Sequence, residues 1–178
     1  MNGRVLIIAG SDSGGGAGVQ ADIKSVTALG GFAATAITAL TAQNTVGVHD
    51  VFPVDVDFIQ KQMRVVLDDI GADSLKTGML HSSDVIEAVC AVIETEAAGI
   101  PLVVDPVMVA KGGASLLDTD SVTTLRDRLL PLARVITPNI PEAEEILGKP
   151  GTISTVADMK QAAEALKAMG PGAVLVKG

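Results

Sequence analysis

The chain is predicted to be an α/β protein with a mostly parallel sheet and helices on both of its faces. Short apolar segments rich in β-branched residues alternate with longer segments whose apolar residues recur every three or four positions. The short segments are continuously apolar, as in strands covered on both faces. We find no internal repeat and no interdomain linker, so residues 1–178 are expected to form a single domain.

The composition argues against several classes of function. The net charge is -8 and the chain has no Trp or Tyr, whereas nucleic-acid-binding surfaces are basic and use stacking aromatic side chains. Neither nucleic acid nor an anionic membrane surface is therefore an expected partner. No run reaches the roughly 18 apolar residues of a membrane span, and the N-terminal run lacks a secretory cleavage pattern. The single cysteine, Cys90, permits no internal disulfide, which favours a cytoplasmic protein.

The first strand, loop and helix carry the clearest local motif. Residues 5–9 are continuously apolar, residues 10–18 are rich in glycine, and from Val19 the apolar residues follow helical spacing. A loop of this kind places helix N-terminal N–H groups beside a crevice, where they can receive a polar or anionic group. The alternative is a glycine-rich turn without a ligand. Asp12 and Asp22, which bracket the loop, favour the ligand.

Two common nucleotide-binding motifs fit this loop poorly. Residues 16–21 (GAGVQA) match the dinucleotide pattern, but that pattern also needs an acidic residue about 20 positions further on. Beyond Asp22, which directly follows the motif, the next acidic residue is Asp50. A P-loop needs Lys followed by Ser or Thr after its last glycine, whereas Gly15 is followed by Gly and Ala. The P-loop is excluded, and a dinucleotide enzyme stays open only as a weak alternative.

The remaining elements continue the alternation. Strands are predicted at residues 33–42, 74–77, 102–104, 134–136 and 173–176, and a short strand or excursion at residues 46–54. Helices are predicted at residues 56–70, 82–93, 122–129 and 156–169, and a further helix is predicted to begin at residue 140. In an open sheet of this class, ligands bind in the crevice at the carboxyl ends of the strands. Polar residues at strand ends are therefore the candidate site.

Three residues at predicted strand ends are candidates for ligand contact. The amide of Gln43 can both donate to and accept from a heterocycle edge, and an amide that caps the following turn is an equal alternative. The thioether of Met79 can pack on a flat ring, although such a Met is more often a core residue. Asp105 ends a buried strand and faces the crevice, because the following Pro106 disfavours the helix that would make it a cap.

Two later segments indicate contacts with phosphate and metal. Residues 107–113 are predicted to be a mobile lid, on which Lys111 could neutralise phosphate; a solvated surface lysine is the alternative. Asn139 and Glu142 have the spacing of a helix capping box. The same pair could help to hold a hydrated Mg²⁺ against nucleotide phosphates, because magnesium keeps waters and takes few protein ligands. The two interpretations can hold together.

Five segments in order, AGSDSGGGAGVQADIK, TALTAQNT, KTGML, VVDPVMVAKGG and TPNIPEAE, resemble the hydroxymethylpyrimidine/phosphomethylpyrimidine kinases of thiamine biosynthesis, in the ribokinase-like superfamily. The resemblance covers the whole chain. It implies an ATP- and Mg²⁺-dependent kinase that phosphorylates 4-amino-5-hydroxymethyl-2-methylpyrimidine and its monophosphate. A pyridoxal/pyridoxine kinase of the same superfamily is the alternative, since both substrates are flat heterocyclic alcohols. The oligomeric state stays open, with a homodimer as one option.

The resemblance also implies roles for individual residues. The pyrimidine would be surrounded by Gly10, Asp22, Gln43, Met79 and Val107. Magnesium and the nucleotide phosphates would lie on the other side of the site, where the catalytic residues would be Asp105 and Lys177. The metal ligands would be Asp105 and Glu142. The nucleotide would contact Lys111, Asn139, Glu142 and Lys177.

The family pattern continues past the position of Lys177 into a GTGC-type turn, whose helix N-terminus forms the anion hole and supplies the catalytic residue. This chain ends before that turn. By resemblance we therefore expect a C-terminally incomplete kinase, either a fragment or a chain that binds ligand without activity. Loss of such donors to the transferring phosphoryl group lowers the rate by on the order of 10²- to 10³-fold.

Overall fold

The computed structural model describes residues 2–108 and 119–178. Within these residues the strands form one sheet with the order β3-β2-β1-β4-β5-β6. The strands are β1 (Arg4–Asp12), β2 (Phe32–Gln43), β3 (Val48–Pro53), β4 (Ser74–Thr77), β5 (Leu102–Val104) and β6 (Val135–Ile136). Among the described strands, β2 and β3 are the only neighbours that pair antiparallel, and the other neighbouring strands are parallel. The predicted mostly parallel sheet is therefore confirmed.

The helices are α1 (Gly18–Ala28), α2 (Val56–Asp69), α3 (Ser83–Glu96), α4 (Thr119–Thr124), α5 (Ile140–Leu147) and α6 (Val156–Lys167). Several begin at a residue whose side chain accepts hydrogen bonds from the first turn. The Asp55 carboxylate accepts from the N–H groups of Asp57 and Phe58, and the Ser82 hydroxyl accepts from Val85. Among the described residues, no helix is long and apolar enough to cross a membrane.

Alternate residues of β1 build two separate cores. Leu6 and Ile8 belong to a large cluster that includes the buried residues of α2 and α3, whereas Ile7 and Ala9 pack with Val19 of α1 on the opposite face. Successive side chains of a strand point to opposite faces. The continuous apolar run at residues 5–9 therefore reflects a strand covered by helices on both sides, as predicted.

The helix predicted over residues 122–129 is irregular. The α-helical turn of α4 is followed by a π turn at Leu125–Leu129 and a 3₁₀ turn at Leu130–Leu132. Pro131 lies in the 3₁₀ turn. Because proline has no N–H and its ring clashes with the carbonyl four residues earlier, a regular helix cannot continue through it.

The last predicted strand, residues 173–176, is not a continuous strand. The chain meets the sheet edge through isolated parallel bridges that pair Ile136 with Val174 and Asn139 with Lys177. The Leu175 N–H donates to the Ile136 carbonyl at 2.9 Å, and the Lys177 N–H donates to the Pro138 carbonyl at 2.8 Å. Because Pro138 has no N–H to donate in return, a regular ladder cannot form beyond the short β6.

Candidate functional site

The carboxyl ends of β1, β2, β4 and β5 surround a cavity of about 340 Å³. All five residues predicted to contact the substrate line it, namely Gly10, Asp22, Gln43, Met79 and Val107. Asp105 lines it as well. Residues from five separate segments of the sequence therefore meet at one end of the sheet, where ligands bind in open α/β folds.

The glycine-rich loop is organised around the side chain of Asp12. This carboxylate is 5% exposed. It accepts hydrogen bonds from the N–H groups of Gly14 at 2.8 Å, Gly16 at 2.9 Å and Ala17 at 2.8 Å. These three N–H groups precede the first turn of α1 and are bound by a carboxylate of the chain itself. Binding of a polar or anionic ligand by the N–H groups of the first turn of α1 stays a prediction.

Two glycines permit close packing at the wall of the cavity. Gly18 has a φ of +55°, and a Cβ at this position would fall on the carbonyl oxygen of Gly10. A Cβ on Gly10 would lie 2.9 Å from the terminal methyl carbon of Met79. The absence of these Cβ atoms lets α1 begin directly against the end of β1 and lets Met79 pack over that strand.

The side chain of Gln43 lies in the cavity, while its backbone is fixed from the other side. The Ser13 hydroxyl bonds both the N–H and the carbonyl of Gln43 at 2.8 Å. The turn that follows is capped by Asn44, whose Oδ1 accepts from Val46 and Gly47. Turn capping is therefore not the role of Gln43. Among the described residues its Nε2 donates no hydrogen bond, and its Oε1 accepts only a long one, 3.4 Å, from Thr41.

A partly buried ion pair inside the cavity was missed by the sequence analysis. Lys76 Nζ lies 2.6 Å from Asp22 Oδ2, and the two side chains are 22% and 23% exposed. Lys76 is the third residue of β4, in a strand between two others. A lysine in such a strand needs a partner, because charged residues are rarely buried alone. That was the signal available in the sequence.

Asp105 is held by two neighbours at the end of β5. Its Oδ1 accepts from Lys177 Nζ at 2.7 Å and from the Thr137 hydroxyl at 3.0 Å. The structure thus brings together the two residues predicted to be catalytic. Lys177 lies beside the cavity and is not among the residues that line it.

Asn139 and Glu142 form the predicted capping box. The Asn139 Oδ1 accepts from the Glu142 N–H, and the Glu142 Oε2 accepts from the Asn139 N–H, both at 2.8 Å. Glu142 is 6% exposed. Burial raises the pKa of its carboxyl group, and the charge of nearby Asp105 raises this pKa further, against the opposing effects of the Asn139 N–H and Lys177. The box thus places a second carboxylate close to Asp105.

Part of the predicted site lies outside the described residues. Val107 is described, but the predicted lid leaves the described ranges after Met108, and Lys111 lies outside them. Within residues 2–108 and 119–178, no group of three or more His, Cys, Asp or Glu side chains could hold a metal ion. Asp105 and Glu142 remain as a pair of carboxylates.

Comparison with known proteins finds relatives that match nearly the whole of this chain. The hydroxymethylpyrimidine/phosphomethylpyrimidine kinase of Bacillus subtilis is 52% identical over 175 residues, which cover 98% of this chain and 64% of that protein. The chain thus spans 64% of the length of this relative. The crystal structure of phosphomethylpyrimidine kinase from Clostridium difficile superposes with a TM-score of 0.89 at 45% identity, covering 98% of this chain and 74% of that one.

A pyridoxal kinase has the same fold. The Staphylococcus aureus enzyme, in complex with AMP-PCP and pyridoxal, gives a TM-score of 0.86 at 37% identity and covers 98% of this chain and 62% of that one. The resemblance found in five sequence segments and the ribokinase-like α/β fold are confirmed. Residues 12–178 match the family model described as phosphomethylpyrimidine kinase, and we conclude that the chain belongs to that family.

Proposed function

We propose that the chain carries the substrate site of an ATP-dependent kinase that phosphorylates 4-amino-5-hydroxymethyl-2-methylpyrimidine and its monophosphate in thiamine biosynthesis. The observation that carries this proposal is the cavity, which collects Gly10, Asp22, Gln43, Met79 and Val107 next to Asp105. The name of the Bacillus subtilis relative supports the substrate class.

In this proposal the ring binds flat in the cavity. The Gln43 amide pairs with a ring nitrogen and the exocyclic amine, and it is suited to this because its Nε2 donates no hydrogen bond among the described residues. Met79 packs against the ring face. The hydroxymethyl arm then points across the sheet toward Asp105, at the end of the cavity opposite Gln43.

The nucleotide is proposed to bind beside Asp105, with contacts to Lys111, Asn139, Glu142 and Lys177. The AMP-PCP complex of the Staphylococcus aureus relative supports a nucleotide as the second ligand. Mg²⁺ fits the carboxylate pair Asp105 and Glu142, because this ion retains waters and needs only one or two carboxylates. When bound, the ion would neutralise charge on the phosphates. Lys177 fixes the orientation of the Asp105 carboxylate through its 2.7 Å contact.

Two alternatives differ from this proposal in substrate or in activity. A pyridoxal kinase is favoured by the fold match to the Staphylococcus aureus enzyme, although that match is 37% identical against 52% for the pyrimidine kinase of Bacillus subtilis. A chain that binds its ligand without phosphoryl transfer is the second alternative. A dinucleotide enzyme has no support from the comparisons reported above.

Calorimetric titration distinguishes these proposals. The chain is titrated in parallel with the pyrimidine alcohol, pyridoxal and NAD, and phosphoryl transfer from ATP with Mg²⁺ is then followed by product analysis. We expect the pyrimidine alcohol to bind more tightly than pyridoxal. Tighter binding of pyridoxal would favour the pyridoxal kinase, and binding without transfer would favour the inactive chain. Binding of NAD alone would contradict both kinase proposals.

We further propose a single domain, a cytoplasmic location and a homodimer. The cytoplasmic location is supported by Cys90, which is buried and free of any disulfide. The homodimer is supported by exposed apolar side chains on β2 and β3, where Leu40 and Phe52 pair across the strands with 46% and 69% of their surface exposed. Sedimentation equilibrium tests the dimer, and a monomer at micromolar concentration would contradict it.

A further inference from the structure

One ammonium group lines the substrate cavity among the described residues, and the proposed function does not use it. It belongs to Lys76 of β4, whose Nζ donates to Asp22 Oδ2 at 2.6 Å. Both side chains are more than three-quarters buried, at 22% and 23% exposed. Salt screens a partly buried pair of this kind much less than an exposed pair.

The other carboxylates of the cavity have their own partners. Asp12 is bound by three backbone N–H groups. Asp105 is bound by Lys177 and Thr137. Within the described part of the cavity, Lys76 therefore forms an ion pair with Asp22 alone. An ammonium group has three N–H donors, and one of them is used within the described residues. Within the described part of the chain, two donors are left for a ligand.

The position of Lys76 indicates which part of a ligand it meets. The cavity extends across the sheet from Gln43 on β2, past β1 and β4, to Asp105 after β5. Lys76 lies opposite Val103 in the register of β4 and β5, and Asp105 donates its N–H to the carbonyl of the neighbouring Thr77. Lys76 is thus near the Asp105 end, and a ring bound at Gln43 directs its substituted arm toward it.

We propose, on the basis of the proposed function, that Lys76 is a specificity-determining residue that binds the phosphate of the monophosphate substrate. Asp22 is its positioning residue, because the 2.6 Å contact holds the ammonium in place. The neutral alcohol has no anionic group to bind and gains little from Lys76. The phosphate is a strong acceptor for the two remaining N–H donors.

The test compares the affinities of the alcohol and of its monophosphate. Each is titrated by calorimetry into the wild-type chain and into Lys76→Met, Lys76→Arg and Lys24→Met, and the ratio of the two affinities is the readout. Lys24 is the matched control, because its Nζ donates to the Gly15 carbonyl and it does not line the cavity. Thermal melting is measured for every variant.

We expect Lys76→Met to lower the affinity for the monophosphate relative to the alcohol by about 10- to 150-fold, the range of hydrogen bonds to charged groups. Lys76→Arg keeps the charge and should keep the ratio within about 5-fold. Lys24→Met should leave the ratio unchanged. If Lys76→Met does not fold, the ratio is measured on the double variant Asp22→Asn/Lys76→Met, which leaves no unpaired charge. We expect this variant to show the same loss of affinity for the monophosphate relative to the alcohol.

An unchanged ratio in Lys76→Met, or an equal loss for both ligands, would overturn the inference. A wild-type chain that binds the alcohol but not the monophosphate would also overturn it while leaving pyrimidine binding intact. A wild-type chain that binds neither ligand would overturn the proposed function together with it.

Discussion

At the scale of single residues, the amide of Gln43 is the polar group best placed to select the ligand. It lies in the cavity, its backbone is anchored by Ser13, and its Nε2 donates no hydrogen bond among the described residues. Gln43→Leu should weaken binding of the pyrimidine alcohol about 5- to 150-fold. The reason is that polar groups of the bound ligand lose their hydrogen-bond partner, which costs about 1–3 kcal/mol of binding free energy. ATP affinity should not change. Calorimetry measures both.

The matched control for this substitution is Gln161→Leu, on an exposed position of α6. It changes the same chemical group away from the cavity. Equal affinities for the pyrimidine in wild type and Gln43→Leu would remove Gln43 from the site.

Glu142 combines a structural contact with a proposed metal contact, and the two can be separated. A capping box accepts Gln at this position, so Glu142→Gln should retain the melting temperature to within a few degrees. If the carboxylate also binds Mg²⁺, the variant should bind Mg²⁺–nucleotide more weakly, and the defect should shrink as Mg²⁺ is raised. Binding of AMP-PCP across a Mg²⁺ titration measures this. Wild-type affinity at every Mg²⁺ concentration would leave only the cap.

The residues of the site differ in how far the sequence could predict them. The capping box joins positions three apart, so its spacing is visible in the sequence. Residues at strand ends, such as Gln43 and Asp105, follow from the strand pattern because parallel strands end at the same edge. The pair Lys76 and Asp22 is 54 residues apart in the sequence. No local spacing marks such a pair, and the sequence analysis missed it.

At the scale of elements, the junction of β1 and α1 sets the shape of the cavity. Gly18→Ala introduces strain at a φ of +55° and a collision with the Gly10 carbonyl. Residues other than glycine pay about 1–2 kcal/mol in this conformation, and the overlap adds about 1–3 kcal/mol. We expect a clear loss of stability in denaturant unfolding, together with weaker binding of the pyrimidine.

Gly148→Ala is the control for strain alone. Gly148 has a similar φ of +63°, but a Cβ there meets nothing within 4 Å. It should lose only about 1–2 kcal/mol and should bind the pyrimidine normally. Equal losses of stability in the two variants would show that the Gly10 contact has no effect.

Some elements could be predicted closely and others could not. The strand at residues 74–77 and the start of the helix after Ser82 follow from apolar spacing and cap chemistry, and the structure has both. In the glycine-rich loop, the sequence analysis did not predict that the Asp12 carboxylate binds the N–H groups of residues two to five positions later. The segment at residues 173–176 has a strand-like sequence, but its partner contains Pro138 and cannot complete a ladder.

At the scale of the whole molecule, an ion pair links two strands at the end of the sheet opposite the cavity. Arg4 at the start of β1 contacts Asp73, which precedes β4, at 2.8 Å. The hydrogen bond to the Arg4 side chain, with help from the Arg4 N–H, lowers the pKa of Asp73 from 3.8 to about 2. A carboxyl group whose pKa is lowered by folding stabilises the folded state at pH values above its pKa in the unfolded chain. This stabilisation is lost as the pH falls through the pKa of the group in the folded protein.

The Asp73→Asn variant should therefore be less stable than wild type at neutral pH. The difference should diminish between about pH 4 and pH 2, where Asp73 becomes protonated. Urea unfolding across this range measures it, and pyrimidine affinity at neutral pH should be unaffected because the pair is at the far end of the sheet. A difference in stability that stays constant with pH would contradict the assigned role.

The overall fold could be predicted because one pattern, alternating apolar strands and amphipathic helices, runs through the chain and restricts the topology. The strand order and the identity of the edge strand were not predicted. They depend on which strands pair over long separations, such as β1 with β4, and such pairing leaves little trace in local sequence.

The most direct test of the central claim is a crystal structure of the chain in complex with 4-amino-5-hydroxymethyl-2-methylpyrimidine. We predict that the ring lies in the cavity against Met79, with its amine and a ring nitrogen on the Gln43 amide and its hydroxymethyl group toward Asp105. A ring bound outside this cavity, or bound inside it with the hydroxymethyl group directed away from Asp105, would contradict the account.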